Sequence, residues 1–184
     1  MAGLIDMIIN NPALVETIAK QVGIDISDAD SIIGKLAPIL MGGAKSNLQS
    51  DKDSGGLLKH IEDARYSDIL DKPEEQDMKN STFTEMGNDI LSNLTGSKEN
   101  SREVAKHVEE ETGISSSIIK SILPMLAPMI IGALTKKSAP LVNEFKEQKR
   151  SSGLDSILSS FIDQDHDGSM IDDVMGMAVK FIFK

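Results

Sequence analysis

Asp163, Asp165 and Asp167 stand at alternate positions and are followed by Gly168 and Ser169. A hard cation such as calcium gathers about six to eight oxygen ligands, and this spacing aims every second side chain at one centre while glycine permits the sharp turn. Ser169, seventh from Asp163, would supply its backbone carbonyl. A full EF-hand loop closes with a bidentate glutamate at its twelfth position. Val174 stands there instead, and Asp172 and Asp173 occupy the tenth and eleventh. Closure by Asp173, or failing that by Asp172, would complete a calcium site; otherwise the site is incomplete. Without the bidentate glutamate the expected affinity falls in the weaker range, roughly 10⁻⁵ to 10⁻³ M, which suits a structural clamp better than a sensor. The same residues also read as a helix start, with Ser169 as N-cap and Asp172 three residues on. Five carboxylates within eleven residues repel one another unless a cation sits among them, which favours the metal reading.

Other chemistry is sparse. His60, His107 and His166 lie far apart, and no spaced His, Asp or Glu companion marks a zinc or nucleophile site. Each is expected to be a surface histidine, His107 on a solvated helix face with Glu110 and Glu111. There is no cysteine, hence no disulfide, thiol nucleophile or thiolate metal site. No phosphate-cradling glycine loop or dinucleotide fingerprint occurs. The sequence therefore reads as non-enzymatic, unless the aspartate cluster leaves a coordination position open.

The elements that must carry these residues include a stretch used twice. Residues 23–47 and 113–137 align without a gap and share Gly23/Gly113, Ile24/Ile114, Ser27/Ser117, Ser31/Ser121, Ile32/Ile122, Leu36/Leu126, Ala37/Ala127, Pro38/Pro128 and Gly42/Gly132. Ahead of the first copy, Asn11 and Pro12 form an N-cap and first helical position, and Leu14, Val15, Ile18 and Ala19 recur at helical spacing before Gly23. Ser27 is expected to cap the first long helix, which Pro38 should kink. Met86 to Leu94, then a helix capped by Ser101, repeat that order, and Ser115 or Ser117 caps the second long helix. Pro124 and Pro128, four residues apart, are expected to bend or break it between Leu123 and Ala127. Its apolar residues lie on nearly every side, so it is either the centre of the domain or an interface with a second copy or another protein. The methionines at 41, 125, 129, 170, 175 and 177 read first as core filling and second as an adaptable groove.

Lys72 to Thr82 holds Pro73, five charges and Met78 as its one apolar side chain, the composition of a mobile linker. Pro140 to Lys149 should form an amphipathic helix, followed by short helices through Leu154 to Phe161 and Met170 to Ile182. No segment alternates at period two, so the fold class is all-α. The expected architecture is a compact helical bundle in a single domain. It comprises repeat unit one at about 3–48, a linker at about 49–84, repeat unit two at about 86–137, and a C-terminal helix-loop-helix at about 139–184 that bears the aspartate loop.

Composition excludes several partners. A net charge of −10 argues against nucleic acid and anionic membrane surfaces, and the densest basic run, Lys146, Lys149 and Arg150, is interleaved with Glu144 and Glu147. The first residues lack a basic region, so no secretory signal is read there. The longest apolar run, Ile122 to Leu134, is 13 residues with two prolines, short of the about 20 that a membrane span needs. A soluble, cytoplasmic protein is expected.

The segment Gly87-Asn88-Asp89-Ile90-Leu91 through Leu94 and Gly96 begins a longer pattern. Val104-Ala105, Thr112-Gly113-Ile114, Leu123-Pro124-Met125-Leu126-Ala127-Pro128 and Gly132 continue it. Together these resemble the bacterial domain of unknown function family 937, most strongly over about residues 86–175 and more loosely over 1–60. The aspartate-rich tail is similar to the segment that comes after the repeats in many members. The resemblance implies a compact helical bacterial protein and no activity, cofactor or catalytic residue. Three functional expectations remain: an interaction or assembly module clamped by calcium, a carrier holding an apolar small molecule or acyl chain between the proline-bearing helices, and a metal-dependent enzyme using the aspartates.

Overall fold

Capping chemistry sets most helix boundaries. In the computed structural model, which describes residues 3–49 and 54–145, α1 (Asp6–Ile9) is a single turn, with the Gly3 N–H donating to Asp6 Oδ2 at 2.8 Å. Helix α2 (Pro12–Val22) starts as its sequence dictates: Asn11 Oδ1 accepts from the Leu14 N–H at 3.1 Å, and Pro12 spends no donor at the first position. It ends on Gly23 at φ 82°, the left-handed region that glycine enters without steric cost. Helix α3 (Ile26–Gln49) then runs through Pro38. It begins one residue before Ser27, so Ser27 lies in the first turn, where its carbonyl accepts from the Ser31 hydroxyl.

Two short helices, α4 (Ser54–Ile61) and α5 (Arg65–Asp71), precede a 3-10 turn at Pro73–Glu75. Lys72 to Thr82 is tied down, contrary to the linker expectation. The Gln21 side-chain amide donates to Gln76 O at 2.7 Å and accepts from the Met78 N–H at 2.9 Å. Met78 is 1% exposed. Two buried anchors, Pro73 and Met78, and one amide matching two backbone groups offset the ordering cost that the polar composition implied.

Helix α6 (Ser81–Thr95) starts five residues before Met86 because Asn80 caps it, and it ends on Gly96 at φ 81°. Helix α7 (Lys98–Thr112) is capped by Ser97, which accepts from Asn100 N at 3.1 Å. Ser101, expected as that cap, sits inside the helix and donates to Lys98 O. After Gly113, at φ 73°, α8 (Ser116–Phe145) is one uninterrupted helix. Ser115, of the two candidate caps, holds its first turn by accepting from Ser117 N. Pro124 and Pro128 therefore do not break it, and the helix continues past Pro140 as well. Among the described residues there are eight α-helices and no strand. The fold is all-α.

Helix α8 is the axis, in contact with all seven other helices. Ile119, Ile122, Leu126, Ala127, Met129, Ile130, Ile131 and Ala133 are all fully buried. Its 116–138 stretch is long and apolar enough to cross a membrane by length and composition, but 78% of the most apolar window is buried by the chain itself. That is the signature of a central core helix. Of the two readings of this helix, centre of the domain or interface, the first holds for residues 122–134, which α1–α7 cover. Met41, Met125 and Met129 are core, as their first reading has it.

Two crossings bring backbone against backbone. A Cβ added to Gly87 of α6 would lie 2.0 Å from the Pro124 carbonyl oxygen, and one added to Gly132 of α8 would lie 2.3 Å from Tyr66 O in α5. Pro128 has no N–H, so the Pro124 carbonyl lacks its usual donor four residues on. Gly87 has no Cβ, so α6 can lie against that carbonyl, where any larger residue would overlap it.

Candidate functional site

The residues assigned to calcium from the sequence, Asp163, Asp165, Asp167, Ser169, Asp172 and Asp173, lie outside the described residues, as do His166 and the two C-terminal helices expected around them. Among the described residues, no group of three or more His, Asp or Glu side chains is arranged to hold a metal ion.

The chemistry-bearing side chains that the fold does bring together are His60, Tyr66 and Asp89. They reach one point because α4 ends at Ile61, α5 turns back directly after it, and α6 lies alongside α4. The His60 Nδ1 is 2.8 Å from the Tyr66 hydroxyl, and its Nε2 is 3.4 Å from Asp89 Oδ2. The rings meet edge to face at 83°, with centroids 5.6 Å apart. When Nε2–H points at Asp89, Nδ1 is the acceptor and Tyr66 donates its O–H.

Electrostatics then decide what this chain of groups can do. Burial pushes the Tyr66 phenol above its usual range, with Asp63 next in effect. A phenol so placed stays protonated and is not an activated nucleophile. Asp63, beside it, accepts from Arg65 Nε and from Nη2, the latter at 2.6 Å, and these hydrogen bonds hold its carboxyl below the ordinary range. Tyr66 itself is 3% exposed, so no substrate reaches its oxygen in this conformation. The geometry makes a polar clasp: the imidazole joins α4, α5 and α6 and satisfies a buried hydroxyl.

From its sequence neighbours His60 reads as a surface residue without companions, whereas its side chain is only 21% exposed. Its partners are a tyrosine six residues on and an aspartate 29 residues on, on different helices. No fixed spacing announces such a set. The available signal was the lone tyrosine at helical spacing with Ile69 and Leu70, since a buried phenol requires a hydrogen-bond partner. His107 is a helix-face residue as expected, 3.7 Å from Glu111. Glu111 also pairs with Lys35 at 3.3 Å and so links α7 to α3.

Around the clasp α4 and α5 are stitched to the axis, and α5 also to the start of α2. Thr135 Oγ1 on α8 lies 2.9 Å from both Ile61 O and Ile131 O, and Lys136 pairs with Asp71. Asn11 Nδ2 donates to Leu70 O. At the Gly87 and Gly132 crossings the backbones touch, which leaves no room there for an acyl chain.

The family described as bacterial protein of unknown function (DUF937) matches residues 6–137. The match runs from α1 into α8 and stops ahead of the aspartate-rich tail. Comparison with curated proteins and with solved structures gives no match.

Proposed function

The chain belongs to this bacterial family of unknown function, and on that footing we propose that it is a non-enzymatic helical interaction or assembly module whose C-terminal stretch binds calcium. The observation that carries the metal half is the spacing of Asp163, Asp165 and Asp167 ahead of Gly168, with Ser169 and Asp173 or Asp172 to complete the oxygen set. All are hard ligands, and no thiolate or imidazole at a ligand position draws the site toward zinc. Bound calcium would neutralise the mutual repulsion of the aspartates and hold the stretch in one conformation. Support for a scaffold role comes from the described helices: α8, the most apolar element, is spent on the core, and His60, Tyr66 and Asp89 bind one another.

Calorimetric titration of calcium into chelator-treated protein tests the proposal, together with thermal melts with and without the ion. The expected result is binding of one ion, a raised melting temperature, and loss of both effects in Asp165→Ala. A ligand that binds only the folded chain at about 100 times its Kd adds roughly 2.7 kcal/mol. No heat and no shift in the unaltered protein would overturn the metal assignment. Binding retained in both Asp165→Ala and Asp163→Ala would place the ion elsewhere.

A further inference from the structure

We draw no further inference here: the strongest candidate, the Asp89–His60–Tyr66 cluster where α4, α5 and α6 meet, belongs to the site already described, and its phenol, imidazole and carboxylate are partnered with one another, with nothing among the described residues that points to a ligand.

Discussion

Replacing Gly87 by alanine adds one methyl group where α6 and α8 bring backbone against backbone. The new Cβ would start 2.0 Å from Pro124 O, 2.8 Å from its carbonyl carbon and 3.0 Å from its Cα. All three atoms are backbone in the central helix, so no side chain can swing away. Bringing the closest contact to the 3.0 Å that real Cβ atoms respect means moving α6 off α8 by about 1 Å. A gap of that size forfeits roughly a quarter to a half of the dispersion energy at each contact it opens. Overpacking of this kind costs about 3 kcal/mol or more when backbone must shift, and the better helix propensity of alanine returns about 1 kcal/mol. The net expectation is a loss of about 2–3 kcal/mol, a fall in melting temperature of roughly 4–12 °C.

Urea denaturation and thermal melts followed by circular dichroism measure it, and an unchanged urea m-value shows that the loss is native-state stability. The matched control is Gly34→Ala in α3, where an added Cβ meets nothing within 4 Å. It gains helix propensity without a clash and should stabilise by about 0.5–1 kcal/mol. The two variants make the same chemical change inside a helix with opposite expected signs. A Gly87→Ala protein as stable as the unaltered one would refute the crossing geometry and the contact to the orphaned Pro124 carbonyl.

The remaining expectations use the same measurements. Gly132→Ala, whose Cβ would lie 2.3 Å from Tyr66 O and 2.9 Å from Leu70 Cβ, should cost about 2 kcal/mol in the urea assay. Tyr66 is the single tyrosine, so phenolate absorbance on alkaline titration reports this residue alone, and its midpoint should lie above the usual 10.0. Because the folded state favours the neutral phenol, its contribution to stability is present below pH 10 and falls as pH rises through the folded midpoint. A midpoint at or below 10.0 in the folded protein would contradict the burial. Tyr66→Phe keeps the ring and removes the hydroxyl from His60, at a cost of about 1 kcal/mol in a thermal melt. Arg65→Ala should let the Asp63 carboxyl rise toward its usual 3.8 in an NMR titration.

How much of this was legible in the residues depends on the range of the physics involved. Local rules sufficed for α2, where Asn11, Pro12 and Gly23 are cap, first turn and left-handed stop within one short segment. They also sufficed for the all-α class and for Gly113. They misplaced the starts of α6 and α7 because Asn80 and Ser97 precede the first apolar residues of their helices, and Ser101 has the same chemistry one turn later. The polar stretch 72–82 defeated composition for a different reason. Its order comes from Gln21, 55 and 57 residues away, and from buried Pro73 and Met78, and an average over a window cannot register one amide in the right place. His60 and Asp89 are the same case between two side chains, since each looks solvated on its own helix.

The prolines of α8 show why half of a device can be visible and the other half not. Residue types alone establish that Pro128 strips the Pro124 carbonyl of its donor, and a break in the helix is the natural inference for an isolated segment. The fold keeps the helix continuous by surrounding it with seven others, so the missing bond is made up in packing rather than relieved by unwinding. What faces the donor-less oxygen is Gly87, which carries no side chain and therefore no pattern of its own. Read from α6 alone, Gly87 is a weak helix residue costing about 1 kcal/mol relative to alanine. Set against α8, it is the residue that lets α6 lie on a carbonyl that the helix cannot satisfy by itself. The local cost of glycine and the local cost of proline are thus halves of one contact, and together they place α6 on α8 at a fixed register.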